Sequence, residues 1–375
     1  MTTSPANNMA VKRRNRIDTL RCILDSGRVS QMELTQRLAL SWPTILQNVK
    51  ELTALGLVRE DGMYASTGGR KAKAYAPVRD ARLAVGMDLT RDHVSVVLTD
   101  LSGELLRQAK GALRFSMEDI YFKYLGGLLR RFVEANGAED RLLGVGISLP
   151  GVVDEERGVL RDSHALDLKN MSLSLFTQQI PWPCRIVNDA GAAGLAEVYG
   201  PGAAGGDVVY LSLGDTVGGA ILRDGRLYRG DHLRAGAFGH MTLVPEGRRC
   251  WCGKTGCLDA YCSARVLSDH AGGSLPAFFE GLRSGDPEKG EVWQGYLGHL
   301  AVAVNDLRAC FDCDVIVGGA VGVYLEEFGD LLRALLAERN PFEPDASYLR
   351  PCRRPEEASA IGAALTQVEA FFQEL

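Results

Sequence analysis

Four residues in one short stretch have the types and spacing for metal chemistry: His240, Cys250, Cys252 and Cys257. One imidazole and three thiolates suit tetrahedral zinc, a borderline-soft ion with no geometric preference of its own. Gly253 and Gly256 bracket a tight turn that folds Cys257 back toward the Cys250/Cys252 pair. Four protein ligands close the coordination sphere, so the expected Zn2+ is structural and does not activate water. The alternative is a set of buried free thiols, against which the clustering with a histidine and two glycines argues. The other candidates are weaker. Cys262 reads as buried on a helix, and Cys22 as core. Cys310 and Cys313 have C-x-x-C spacing but no second pair, and read as core. His164, His232, His270 and His299 are isolated and read as surface or core; His93 lies in a loop.

A second chemistry is polyanion binding. Residues 11–79 carry 13 Lys and Arg against 6 Asp and Glu, a net charge of +7, while the rest of the chain carries −12. A small basic head on an acidic body means that the head alone meets a polyanion. Within it, Ile17, Leu20, Ile23 and Leu24 recur at helical spacing over Arg13 to Ser26. Ser30-Gln31-Met32-Glu33 is a capping box that starts a second helix running to about Leu38. Ser41, with Pro43 in the first turn, caps a third helix to about Leu55, whose apolar face is Ile45, Val49, Leu52 and Leu55. Two short helices joined by a tight turn form a helix-turn-helix, whose second helix enters the major groove. Trp42, Thr44, Gln47, Asn48 and Lys50 then lie on the exposed face or leading end, with Gln47 and Asn48 suited to base edges and Thr44 and Lys50 to phosphates. Leu57 to Ala65 reads as a wing of strand, turn and returning strand. The tail after it holds Arg70 and Lys71 beside glycines, for a phosphate backbone or minor groove. A helical packing module that touches no DNA is the alternative.

These residues need elements to position them. The chain has 375 residues, 46% apolar and 24% charged, which is ordinary for a globular protein of two or three domains. No run of 18 apolar residues occurs and no secretory signal is legible at the N-terminus. Nine cysteines clustered partly with histidine suit a reducing cytoplasm and a metal better than disulfides. After the head, Leu83–Leu89 and Val94–Asp100 read as strands joined into a hairpin pattern, Met117–Asn136 as a helix, and Leu142–Leu149 and Arg185–Val187 as further strands. Asp207–Leu213, a glycine-rich turn at 214–219, Ala220–Leu222, a helix over Gly295–Phe311 and a strand at Asp314–Val317 repeat the scheme, and a closing helix starts near Ala358. Two similar halves imply an α/β bilobal fold with a cleft between them. The expected division is a winged helix-turn-helix with an N-terminal tail at 1–79, a first lobe at 80–199 joined by the closing helix 358–375, and a second lobe with the metal motif at 200–357.

The whole pattern resembles the ROK family, which groups sugar-responsive repressors with sugar kinases on an actin-like, hexokinase-type fold. The most specific match is His240 with C-W-C-G-K-T-G-C-L-D, similar to the family's G-H…C-x-C-G-x-x-G-C-x-E zinc and sugar motif. V-N-D-A-G-A-A-G-L-A-E at 187–197 resembles the family's N-D-A-N-A-A-A stretch, and S-T-G-G-R-K at 66–71 resembles the repressor branch, which includes the xylose and N-acetylglucosamine repressors.

The resemblance implies a sugar site at Asn188, Asp189, His240 and Asp259, with the other ring nitrogen of His240 facing a hydroxyl. In a kinase Asp189 is the base that takes a sugar hydroxyl proton; it also stands where a helix N-cap belongs. The family's D-x-G-G-T phosphate loop is replaced by Asp88-Leu89-Thr90-Arg91-Asp92-His93, and Asp215 intrudes among the glycines of the second loop. Nucleotide binding is therefore expected to be weak or lost, Asp189 to be a vestigial base, and no residue to be catalytic. The family's Glu before the metal histidine is Ala237 here, and its Glu after the third Cys is Asp259. The ligand then lacks the hydroxyl those groups meet, is a different sugar, binds through water, or has been lost. The implied function is a cytoplasmic, homodimeric or homotetrameric regulator without membrane contact, which binds a double-stranded DNA operator and is released by a monosaccharide or derivative held between the lobes. The alternatives are an ATP-dependent sugar kinase with a DNA-binding head, and a regulator controlled by a protein partner.

Overall fold

A computed structural model of the chain describes residues 5–64 and 73–375. The N-terminal unit holds α1 (Pro5–Ser26), α2 (Gln31–Leu38) and α3 (Trp42–Ala54) beside a small sheet of β1 (Val29–Ser30), β2 (Val58–Met63) and β3 (Lys73–Pro77), in the order β1-β3-β2. The capping box closes in both directions: the Glu33 amide donates to Ser30 Oγ at 3.2 Å and the Ser30 amide to the Glu33 carboxylate at 2.7 Å. Ser41 caps α3 by accepting from the Thr44 amide at 3.3 Å. Leu20, Ile23, Leu34, Ile45, Val49 and Leu52 form the core of this unit.

Three sequence expectations are corrected here. α1 begins at Pro5 and not at Arg13, because polar residues ahead of the first apolar turn still propagate a helix. Leu55 caps the end of α3 and is exposed, off the apolar face. The strand that returns the wing is β3, at Lys73–Pro77, and not the segment ending at Ala65. Arg70 and Lys71 lie outside the described residues.

The body repeats one sheet plan. β4 (Leu83–Leu89), β5 (His93–Thr99) and β6 (Leu105–Ala112) form an antiparallel meander; β7 (Leu142–Leu149) pairs parallel with β4, and β11 (Cys184–Asn188) parallel with β7. A side ribbon is made of β8 (Val152–Asp154), β9 (Val159–Ser163) and β10 (Leu168–Ser172). The second sheet has the same wiring: β12 (Val208–Leu213), β13 (Val217–Arg223) and β14 (Arg226–Tyr228) form a meander, with β15 (Asp314–Gly318) and β16 (Leu349–Pro351) added in parallel. The central strands are nearly continuous apolar runs because helices cover them. In the first half α4 (Asp119–Ala135) buries Phe122, Leu125, Leu129 and Val133, at helical spacing. α5 (Asp189–Glu197) follows β11 directly. In the second half α6 (Leu275–Arg283), α7 (Pro287–Phe311) and α8 (Asp330–Arg339) enclose a core containing Phe278, Phe279, Tyr296, Leu300 and Val304.

α9 (Ala358–Glu374) joins the first lobe to the N-terminal unit. It lies on β4 and β7 so closely that a methyl on Gly86 would stand 1.8 Å from the Ala360 carbonyl oxygen, and one on Gly362 would stand 1.7 Å from that of Ala192 on α5. Only glycine permits this approach. The outer face of α9 meets the N-terminal unit. Arg21 Nη2 on α1 donates to both oxygens of Glu369 at 2.7 Å and its guanidinium stacks over Phe372. Arg79 donates to the Leu24 carbonyl at 2.8 Å and to Ser102 Oγ at 2.5 Å. Ser102 in turn donates to buried Asp100. The two crossings between the lobes, after Glu197 and after Cys352, are tied together: Glu197 accepts from Cys352 Sγ and from the Arg353 amide, each at 3.1 Å. Arg353 donates onward to the Pro201 and Tyr199 carbonyls.

Candidate functional site

The cleft between the lobes encloses about 690 Å³. Its floor comes from the C-terminal ends of β7 and β11, where an α/β sheet presents its loops. Asn188, the last residue of β11, is the N-cap of α5 and accepts from the Gly191 amide at 2.9 Å. Asp189, which the sequence also allowed as cap, is the first helical residue and lines the cleft. Both amide protons of Asn188 are engaged, one with the Gly151 carbonyl at 2.8 Å and one with Asp189 Oδ1 at 2.7 Å. A ligand hydroxyl at Asn188 therefore has to share or replace one of these bonds. Burial pushes the Asp189 carboxyl up to a pKa of about 7, and the nearby Asp88 carboxylate adds to the rise. Asp88 is raised by burial too, and accepts from Ser148 Oγ at 2.7 Å.

The opposite wall carries the cysteine stretch. His240 ends a single helical turn, Phe238–His240, and lines the cleft with Ala237. The ligating atoms of His240, Cys250, Cys252 and Cys257 all lie within 4.8 Å of one another. Cys252 Sγ and Cys257 Sγ are 3.8 Å apart, and Cys250 Sγ is 4.0 Å from His240 Nδ1. Bonds of about 2.3 Å to sulfur and about 2.0 Å to nitrogen put neighbouring ligands of a tetrahedral zinc roughly 3.5–3.8 Å apart, so the donor set fits that ion. Nδ1 is the ring nitrogen in the cluster, which leaves Nε2 free of it. Gly256 makes the fold of the stretch: its φ is 79°, and a methyl there would stand 1.9 Å from the Val244 carbonyl oxygen. Its own carbonyl accepts from the Leu243 and Val244 amides at 2.7 and 3.1 Å, which sets Cys257 against the rest of the cluster.

Asp259, expected among the sugar-binding residues, is held by the backbone. It is 4% exposed and lies beside His240 and Trp251, which line the cleft. Its Oδ1 accepts from the Val217 amide at 2.6 Å, so the carboxylate anchors the start of β13 behind the wall. Burial raises its pKa, while the Val217 amide, His240 and the Trp251 side chain hold it down.

Two residues face the ligand space that the sequence reading did not place there, Trp251, which it left unassigned, and His164, which it read as surface or core. Trp251, between two of the cysteines, stacks flat on His164 from the other lobe, with centroids 4.0 Å apart and planes 2° from parallel. Trp251 also meets the His240 ring edge-on at 4.9 Å. His164 thus bridges the cleft to the metal stretch. Its loop is held by Arg91, whose Nε donates to the Ala165 carbonyl at 2.7 Å. Arg91 belongs to the β4–β5 turn, the place of the first phosphate loop. That turn is closed on itself: Thr90 and His93 exchange bonds through the Thr90 amide at 3.1 Å and the His93 amide at 3.2 Å. A tryptophan inside a metal motif is a legible signal for the clamp; an isolated histidine far along the chain is not.

On the N-terminal unit, Trp42, Gln47 and Lys50 are exposed on α3, and Thr44 is half-buried with its hydroxyl bonded to that of Ser41 at 2.8 Å. Asn48 is not on the exposed face. It is 6% exposed, and its Nδ2 donates to Thr19 Oγ1 at 2.9 Å and to the Asn15 carbonyl at 3.1 Å, tying α3 to α1. The Gln47 amide donates to Glu51 at 2.7 Å, and Glu51 also pairs with Arg16.

Comparison with known proteins fits this architecture. Residues 12–59 match the winged helix-turn-helix DNA-binding model and residues 84–369 the ROK family model. The chain is 29% identical over 265 residues to the xylose repressor of Caldicellulosiruptor bescii, which covers 70% of this chain and 66% of that protein. It is 26% identical over 252 residues to the DNA-binding transcriptional dual regulator NagC of Escherichia coli, covering 66% and 62%. The aligned stretch thus spans just under two thirds of these relatives' own length. Among solved structures, a ROK family transcriptional regulator described as a homolog of the Escherichia coli MLC protein superposes with a TM-score of 0.73, at 22% identity over 96% of this chain and 99% of that one. A ROK family glucokinase from Streptomyces griseus, in complex with glucose and AMPPNP, superposes with a TM-score of 0.62, at 26% identity over 76% and 98%. No helix among the described residues is long and apolar enough to cross a membrane. With a winged helix ahead of two identically wired lobes and a metal-type motif on the cleft wall, the chain belongs to the ROK family, on the actin-like fold shared by its regulators and sugar kinases.

Proposed function

We propose that this protein is a sugar-responsive, DNA-binding transcription regulator, a repressor released when a monosaccharide or derivative binds between the lobes. The observation that carries the reading is the single packed path from cleft to head. α9 lies against α5, which starts at Asp189 in the cleft, and holds α1 of the DNA-binding unit through Arg21, Glu369 and Phe372. A sugar that binds the open and closed lobes unequally shifts their balance, and α9 moves the head with them. The repressors among the relatives, and the winged-helix match, support the same reading.

In this reading Asn188, Asp189 and His240 bind hydroxyls, and Trp251 and His164 close over the sugar ring. Asp259 orients the wall. His240, Cys250, Cys252 and Cys257 hold a structural zinc, which fixes the His240 tautomer and ring. The protein works as a homodimer or higher oligomer in the cytoplasm, with two heads on half-sites of one operator. Phosphoryl transfer is disfavoured because the first phosphate loop is a closed turn occupied in holding the His164 loop. Asp189 remains placed as a base, which keeps a sugar kinase as the second reading. Calorimetry of the purified protein with ATP and with monosaccharides separates the two: the regulator binds sugar without ATP. ATP-dependent phosphorylation of a sugar above background overturns it.

A further inference from the structure

The exposed face of α3 carries an apolar stripe. Trp42, Leu46 and Lys50 fall at successive fourth positions and form one exposed stripe; Trp42 is 51% and Leu46 49% exposed. They are held out by the way the rest of the helix is used. Ile45, Val49 and Leu52 are in the core, Asn48 is tied to α1, and the Gln47 amide is bonded to Glu51. Asn48 is thus withdrawn from the exposed face, while Gln47 stays exposed with its amide bonded to Glu51 on the same helix. Along the stripe project an indole, an isobutyl group and an ammonium, with the Gln47 amide beside them.

The partner that an apolar stripe finds on the floor of the major groove is the C5 methyl of thymine, the one aliphatic group on the base edges there. We infer that this protein selects its operator through thymine methyl groups packed against Leu46, with Trp42 extending the contact by one turn and Lys50 on the phosphates. The inference deepens the DNA-binding reading above and rests on it. Charge favours DNA over a protein as the occupant: the stripe ends in an exposed lysine on a unit of net charge +7. The geometry also matches, because Trp42 to Lys50 spans about 12 Å along the helix, roughly three to four base-pair steps. A half-site read this way carries thymines on adjacent positions and tolerates exchange of polar groups less specifically than one read by bidentate hydrogen bonds.

The test uses the full-length protein. Duplexes are selected by it from a randomised pool, and the enriched half-site is remade with deoxyuridine in place of each thymidine in turn, which removes a methyl and nothing else. Burial of one such group corresponds to about a fourfold change in affinity. The expected result is a loss of about that size at one or two positions for the native protein, and equal binding of both duplexes by Leu46→Ala. Leu46 is on the surface, so this variant keeps the fold. Enriched sites without shared thymines, deoxyuridine duplexes that bind as well as the originals, or a Leu46→Ala protein that keeps the native preference would each overturn the inference. If Leu46→Ala weakens both duplexes equally while shifting the oligomer, the stripe is a protein contact and the inference fails. A pool that yields no enriched duplex removes the DNA-binding reading itself, and the inference with it.

Discussion

Asp259 separates two accounts of the cleft, one in which its carboxylate touches the sugar and one in which it supports the wall from behind. The side chain is 4% exposed and bonds the Val217 amide at 2.6 Å. Asp259→Ala leaves that amide without a partner at the first residue of β13. A buried hydrogen bond to a charged acceptor is worth roughly 1.5–3 kcal/mol, so the variant should lose about 2 kcal/mol of stability. Asp259→Asn keeps an oxygen of the same shape at the Val217 amide and should lose less than about 1 kcal/mol. On the account in which Asp259 supports the wall from behind, neither variant removes a direct ligand bond, so Asp259→Asn should bind a monosaccharide within about threefold of the native protein, less than the cost of one lost hydrogen bond. Trp251→Ala, which removes the stacking surface for His164, should weaken it more. Thermal melting gives the stability, and calorimetry of the same samples gives the affinity. An Asp259→Asn protein that melts as the native protein does yet loses sugar binding tenfold or more would refute the placement of Asp259 behind the wall.

Further outcomes follow from the same geometry. Cys257→Ser should take the zinc content of the purified protein from one per chain to none and remove the sugar response with it; a response that survives complete zinc loss breaks the link between metal and cleft. Asn48→Ala removes the tie from α3 to Thr19 and Asn15, and should raise hydrogen exchange in α1 and α3 through a loss of roughly 1–3 kcal/mol, whereas Lys50→Ala should weaken DNA binding with exchange unchanged. Unchanged exchange in Asn48→Ala would mean that the buried bonds do not form. Burial and Asp88 raise Asp189 to a pKa of about 7, so the folded state favours its protonated form. The stability from that proton is complete below the ordinary carboxylate range and is lost as the pH rises to about 7. Asp189→Asn should therefore melt higher than the native protein at pH 8, with the gain shrinking toward pH 5; a gain that is the same at both pH values contradicts the raised pKa.

Local signals in this chain survive folding and tertiary ones are hidden. Ser30 with Glu33, and Ser41 with Pro43, are caps whose chemistry is complete within four residues, so α2 and α3 are legible from sequence. The four metal-type ligands are legible for the same reason, apart from His240, which lies ten residues upstream and is carried by its motif. The repeated halves are legible as a repeated succession of apolar runs. The wing is not, because its returning strand pairs with β2 across residues that carry no strand pattern. Asn48 leaves the exposed face because side-chain direction is set by partners on other elements, here Thr19 on α1, and the Val217 amide on β13 holds Asp259 in the same way. Arg91 and His164 had no signal at all. Their roles exist only once the β4–β5 turn and the β9–β10 loop are brought together.

The measurement that bears most directly on the account is the affinity of the full-length protein for a selected operator duplex, with and without xylose, glucose and N-acetylglucosamine and their phosphates. The account predicts that at least one of these sugars weakens DNA binding, and that Trp251→Ala loses this response while binding the duplex as the native protein does. DNA affinity that is the same with every one of them, together with ATP-dependent phosphorylation of any, would contradict it.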